Sequence, residues 1–321
     1  LELCMHEHYE DCPWREQAFY ALDGRFQMRY GYKAFASSEY QRAALRLMSE
    51  DRNSTGHISL VVPATCSLVI PSFSLFYVIA MEEYASQTGD NSLIEKYFDK
   101  IVQLVSIFRE NEKDGLVQNF TNGDFWNFYE WNDGLDGQDK NKEDCVLNLN
   151  YVLGLKSFVK ICKMLGREYE CYEREIELHN DKINAKYYDR ASGLYKVTEK
   201  SENFTELCNA YAVLAGAASG EVAKKICHTL ADENSGLAEC TLSMLSFKYD
   251  ALLKVDKERY SAYILKDIDK KYSYMLSQGA TSFWETMKGW RDFDDAGSLC
   301  HGWSALPVYY YSILEQTATE G

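Results

Sequence analysis

Proline is scarce in this chain, 4 among 321 residues, and that scarcity narrows the fold more than any single motif does. A β protein of this length needs frequent turn residues, and proline breaks helix interiors. Long windows of the chain instead carry apolar residues at helical spacing, so the expected class is all-α. The spacing predicts helices over about 14–36, 39–50, 72–86, 91–110, 144–165, 168–188, 204–218, 220–232, 238–252, 257–275 and 299–314, with residues 1–8 as the tail of one more. Ser38 with Gln41 and Asn203 with Glu206 read as capping boxes, Asp256 as an N-cap and Gly89 as a helix stop. No consensus recurs at a period of roughly 20–50 residues, which argues against a solenoid. An (α/α)6 barrel, a closed double ring of about twelve helices, is the expected architecture. With no Pro/Gly/Ser-rich linker to divide it, 1–321 reads as a single domain.

Forty-nine acids against 34 bases leave a formal charge of −15, which repels phosphate backbones and anionic lipid surfaces, so no nucleic acid partner is expected. Residues 58–81 carry no charge and are long enough to suggest a membrane span. Pro63 and Pro71, with several serines and threonines, mark them instead as a buried loop leading into an inner helix. The ten cysteines form no CxxC pair, and Cys145, Cys162, Cys208 and Cys227 fall on apolar stripes. Reduced thiols and a cytoplasmic setting are expected, with a secreted or periplasmic one left open. The first residue, Leu1, suggests a chain that begins inside a larger protein. His6 and His8 with Glu7, Glu10 and Asp11 resemble a metal cluster, but an i, i+2 pair diverges on a helix, so no metal is assigned. Without GxGxxG, P-loop or GxSxG motifs, no cofactor is expected.

Paired carboxylates among aromatics are what glycoside hydrolysis requires, one to protonate the leaving oxygen and one on the opposite face. The segment from Asp11 to Asp23 holds three carboxylates with Arg15, and on the predicted first helix Glu16 and Asp23 would share a face. A plainer alternative is that Asp11 caps that helix, Glu16 and Asp23 are solvated, and Arg15 makes an ion pair. Trp126-Asn127-Phe128-Tyr129-Glu130-Trp131 lies in an irregular section, 111–143, punctuated by Gly115, Gly123, Gly134 and Gly137. It reads as an aromatic wall with one hydroxyl-binding acid, or as a local plug on the core. In Thr281-Ser282-Phe283-Trp284-Glu285-Thr286, Glu285 suits a base at the far side of a pocket. Cys300-His301-Gly302-Trp303 adds one histidine.

The run Cys4-Met5-His6-Glu7-His8-Tyr9-Glu10-Asp11-Cys12-Pro13-Trp14-Arg15-Glu16-Gln17 resembles the start of the catalytic domain of bacterial α-L-rhamnosidases, glycoside hydrolase family 78. Trp126 to Trp131, Phe283-Trp284-Glu285 and Ser298 to Trp303 are similar to that family's later motifs, in the same order, over residues 4 to about 311. The resemblance implies an (α/α)6 barrel, flanked in the family by β domains absent from this chain. It also implies an inverting mechanism with Glu16 as general acid and Glu285 as general base. Asp11, Arg15, Asp23, Trp126, Glu130, Trp131, Trp284 and His301 fall in motifs that bind the sugar, and the implied partner is a rhamnose-containing glycan or glycoside. Burial of Glu16 against Trp and Tyr is expected to keep it protonated near neutral pH. Where many members continue with Arg-Asp-Glu-Arg and Trp-Thr-Gly-Asp, this chain has Trp14-Arg15-Glu16-Gln17, with Leu22 before Asp23. That marks a divergent branch. Two other readings remain open: a catalytically inactive carbohydrate-binding barrel and a polysaccharide lyase on a similar toroid.

Overall fold

The computed structural model describes residues 1–121, 123–132, 135–136 and 144–314. Six helices form an inner ring, all but the last largely buried: α1 (Ala21–Ala34), α3 (Pro71–Thr88), α6 (Cys145–Met164), α8 (Glu206–Ala215), the first half of α10 (Leu245–Ser277) and α11 (Leu306–Leu314). Each packs on the next, and α11 returns to α1, which closes the circle. A helix apolar on every side has to be surrounded by protein. Accordingly α3 buries 14 of its 18 residues, whereas α7 (Glu170–Tyr187), lying outside, buries His179, Ile183 and Tyr187 alone.

The outer layer consists of α2 (Glu39–Glu50), the short α4 (Ser92–Lys96) with α5 (Phe98–Glu110), α7, α9 (Gly220–Leu230) and the second half of α10. The predicted break near residue 256 is a kink within α10, where Asp256 leaves helical geometry and its carboxylate caps the Arg259 N–H at 3.0 Å. Helix α6 is long and apolar enough to cross a membrane, yet 83% of that window is buried inside the fold. The uncharged stretch 58–81 is, as expected, an irregular segment leading into α3, an inner helix, but the loop is only partly buried, with Pro63, Ala64, Thr65 and Ser67 exposed. Two two-stranded antiparallel ribbons, β1 (Glu112–Lys113) with β2 (Leu116–Val117) and β3 (Tyr188–Asp189) with β4 (Leu194–Tyr195), are the sheets among the described residues.

Several local expectations change, among them the helices predicted from 238 and 299, which begin only at Leu245 and Leu306. The first helix begins at Ala21 rather than near residue 14, because residues 13–16 turn, 17–20 are irregular and Tyr20 enters the helix from an extended conformation. Residues 1–8 contain a short 3-10 turn, Glu2–Cys4, and a bridge between Met5 and Tyr9. Neither capping box forms. Gln41 is buried, and Thr205, not Asn203, caps α8 through the Cys208 N–H while Glu206 pairs with Lys248. Gly89 ends α3 in the left-handed conformation, as expected. All ten cysteines are free, and Cys145, Cys162, Cys208 and Cys227 are buried.

Candidate active site

Two irregular segments meet at one end of the ring, and each is closed by an acid in the same way. Asp11 donates its N–H to the Ala18 carbonyl and accepts the Ala18 N–H on Oδ1, both at 2.8 Å. Glu285 does the same with Ser298, its N–H to the carbonyl and its Oε2 to the N–H, again both at 2.8 Å. The first clamp explains why α1 starts late. It folds residues 12–17 into a loop, with Gln17 in the left-handed region at φ 52° and its amide on the Pro13 carbonyl. Glu16 and Asp23 therefore do not share a helix face.

The loop is also tied down from below. Gly302 donates to the Asp11 carbonyl at 2.7 Å and Gln27 of α1 to the Glu10 carbonyl at 2.7 Å. A Cβ on Gly302 would lie 2.0 Å from the Gln27 amide nitrogen, so no larger residue fits without displacing that tie.

Between the two segments lies a cleft of about 280 Å³. Of the sequence-predicted residues, Arg15, Glu16, Asp23, Trp126, Trp131, Glu285 and His301 line it. One nitrogen of the Arg15 guanidinium sits 2.7 Å from each oxygen of Glu285 and 3.3 Å from Glu16. Tyr20, whose phenol is held neutral by burial and by the neighbouring carboxylate, donates to Glu16 at 2.8 Å. The burial expected for Glu16 is not found: its side chain is 38% exposed, at the mouth, and Trp14 turns outward into solvent.

Glu285 is 3% exposed. Burial pushes its carboxyl upward, opposed by the Ser298 N–H and by Arg15. On the floor, His301 stacks on Trp303 with ring centres 3.7 Å apart, and its Nε2 is 3.7 Å from Asp11 and 3.9 Å from Asp23. Burial, then the charge of Arg15, holds this imidazole well below the usual histidine range, so it is neutral. Burial raises Asp23 well above the usual carboxylate range, with the charge of Asp11 adding to it, and raises Asp11 to about 6. Asp23 is thus biased toward its protonated form, which can donate as well as accept a hydrogen bond.

Three predicted residues lie elsewhere. Asp11 does not line the cleft, because one of its oxygens holds the Ala18 N–H and the other faces His301 from behind. Glu130 is fully buried and points away, accepting the N–H and hydroxyl of Thr241 at 2.5 and 3.0 Å, while Trp126, Phe128 and Trp131 face the cleft. Trp284 packs its ring against Gly289 and Tyr274 and does not line the cleft. Of the section 111–143, residues 122, 133–134 and 137–143, with Gly134 and Gly137, lie outside the described residues.

Sequence reasoning passed over Tyr20, Phe128 and Trp303, each inside a stretch it singled out, Phe293, which lies beyond the Thr281–Thr286 motif, and Leu60, Ile70 and Phe73, which carry no chemical signal. Among the described residues no cluster of three or more metal-ligating side chains occurs.

A double helical ring that presents paired carboxylates over an aromatic cleft defines a glycosidase of the barrel class. The chain belongs to the bacterial α-L-rhamnosidase six-hairpin glycosidase domain family, whose model matches residues 1–312, and it is a glycoside hydrolase domain. A family 78 rhamnosidase of Bacillus sp. GL1 superposes with a TM-score of 0.87 at 26% identity, over 97% of this chain and 33% of that one. A Klebsiella oxytoca rhamnosidase with rhamnose bound gives 0.82 at 20% identity, over 98% and 61%. A family 63 mannosylglycerate hydrolase of Thermus thermophilus shares the fold at 0.67 and 11% identity, over 95% of each chain. This chain therefore spans a third of the Bacillus enzyme and under two thirds of the Klebsiella one. No curated protein sequence matches it.

Proposed function

We propose that the chain hydrolyses terminal α-L-rhamnosides with inversion, Glu16 acting as general acid and Glu285 as general base. The observation that carries the hydrolase part of this reading is the arrangement of two carboxylates on one guanidinium, Arg15, at the mouth of an aromatic-lined cleft. Inversion rests on the family resemblance, since oxygens that share one Arg15 nitrogen lie within about 6 Å of each other, short of the roughly 6.5–9.5 Å of an inverting pair. A base has to be ionised, and Glu285 holds Arg15 and the Ser298 N–H, both donors to the charged form. An acid has to reach the leaving oxygen, and Glu16 stands where a leaving group meets solvent.

In the proposed step Glu285 removes a proton from water as the water oxygen bonds to the anomeric carbon. The bond from that carbon to the leaving oxygen breaks, and the leaving oxygen takes the proton of Glu16. Asp23 and His301, buried on the floor, hold sugar hydroxyls, and the tryptophans offer faces to the C–H side of the ring. Arg15, the sole lysine or arginine among the described lining residues, is engaged by Glu285 and Glu16, which leaves no cation for a uronate and disfavours the lyase reading.

The family likeness and the rhamnose-bound neighbour support rhamnose as the glycone. The test is release of 4-nitrophenol from its α-L-rhamnoside, with proton NMR showing the β anomer of rhamnose first. Wild-type rates in both Glu16→Gln and Glu285→Gln, or the α anomer first, would overturn it.

A further inference from the structure

The cleft has a buried end and an open end, and the two differ in chemistry. Asp23, His301, Phe73, Phe128 and Trp303 are buried at the first. At the second stand Glu16, Arg15, Trp131, which is 42% exposed, and the half-buried Phe293. A volume of about 280 Å³ is at the small end of the roughly 300–1,000 Å³ of ligand pockets, so the buried end takes one sugar ring. A sugar seated there directs its leaving group outward past Glu16, between the rim aromatics.

Phe293 is held at that rim against a local preference. Phe293, Asp294 and Asp295 all have positive φ, at 52, 56 and 64°, a conformation that a bulky residue rarely adopts. The surroundings fix it: the Asp292 carboxylate accepts the Phe293 N–H at 3.1 Å and the Thr286 hydroxyl at 2.8 Å. A Cβ on Gly297 would lie 2.1 Å from the Gly289 carbonyl oxygen, so the loop closes with glycine there. The result is a ring edge-on to Trp131, centres 5.3 Å apart, with the Arg15 guanidinium 5.4 Å over its face. The contact joins the 126–131 segment to the 285–298 loop above the catalytic pair.

Resting on the hydrolase reading above, we infer that Phe293, paired with Trp131, is a specificity-determining residue for the leaving group, favouring one that presents a flat face, such as an aryl ring. A ring stacked on such a face gains contact that a methyl leaving group is too small to make.

The experiment compares kcat/KM for 4-nitrophenyl and methyl α-L-rhamnosides in wild type, Phe293→Ala and Phe293→Tyr. Phe293→Ala should lower the aryl-to-methyl ratio about five- to tenfold, mainly through KM, and Phe293→Tyr should restore it. An unchanged ratio in Phe293→Ala, with wild type active, overturns the inference and leaves the hydrolase reading standing. Wild type inactive on both substrates sinks the rhamnoside reading of the site. Calorimetric binding of the same two glycosides then decides: a preference for the aryl compound that Phe293→Ala loses supports the rim assignment, and equal or absent binding overturns it.

Discussion

The loops closed by Asp11 and by Glu285 are built on one device and put it to different uses. In each, an acid grips both backbone groups of a residue farther along the chain, to Ala18 in one case and Ser298 in the other, with all four bonds at 2.8 Å. In the first loop the gripping acid is structural, and the residues it carries, Arg15 and Glu16, reach the cleft. In the second the gripping acid itself reaches the cleft, and the loop it closes carries an aromatic, Phe293, to the rim. A carboxylate fixed by backbone on one oxygen is a rigid support for chemistry on the other, so the clamp serves a base as well as it serves a loop.

The sharpest way to break that comparison is Glu285→Gln. The amide oxygen can still accept the Ser298 N–H, so the loop should stay closed, while the lost ion pair with Arg15 should lower the unfolding midpoint without unfolding the loop. The side chain can no longer take a proton from water, and kcat should fall about a hundred- to ten-thousandfold. A collapse of stability alongside the rate would mean that the two uses cannot be separated. Phe293→Ala, with its five- to tenfold change in substrate ratio, probes the same loop's cargo at a smaller scale.

Asp11 should behave the other way round, with the larger effect on stability. Asp11→Ala removes the acceptor of a buried N–H and should cost about 1–3 kcal/mol in denaturant unfolding. Asp11→Asn keeps that acceptor and removes a charge. In the unfolded chain Asp11 ionises at a pH of about 3.9, whereas in the fold burial holds its proton to about pH 6. Within that window folding takes up a proton, so wild-type stability falls as pH rises and stays lowered above it. Asp11→Asn does not titrate, and should match wild type near pH 4 and exceed it by about 2–3 kcal/mol at pH 7.5. A pH-independent difference would show that the charge, and not the clamp, has been misread.

The helical architecture was legible because it rests on local quantities: few prolines, apolar spacing, and inner helices such as α3 and α6 with apolar residues on every side. The start of α1 was not, because Asp11 reaches Ala18 across a loop whose local pattern, proline followed by a glutamate, is that of a helix first turn. Glu206 misled for a similar reason: its place beside an Asn203 cap is local, while its partner Lys248 is far along the chain. In the cleft, the acids and tryptophans stood out as chemistry in the sequence, and most of them do line it. Glu130 and Trp284 show the limit, since a motif names neighbours in the chain and not the side to which each turns. Phe293 depends on a left-handed backbone that phenylalanine and aspartate do not announce.

The smallest expected effect concerns the aromatic of the first loop. Trp14 is 90% exposed, next to Arg15 and Glu16 in sequence but facing solvent, where Phe293 of the second loop faces the cleft. An exposed side chain contributes little to folding, so Trp14→Ala should stay within about 0.5 kcal/mol of wild type in chemical unfolding. Because the leaving group is assigned to the side of Trp131 and Phe293, the aryl-to-methyl ratio of kcat/KM should also stay within about twofold, too small to signal a lost ring contact. A drop in that ratio as large as the one expected for Phe293→Ala would place the leaving group across the first loop instead. The clamp at Asp11 would then carry a specificity element as the clamp at Glu285 does, and the distinction between the two loops would narrow to which acid performs the chemistry.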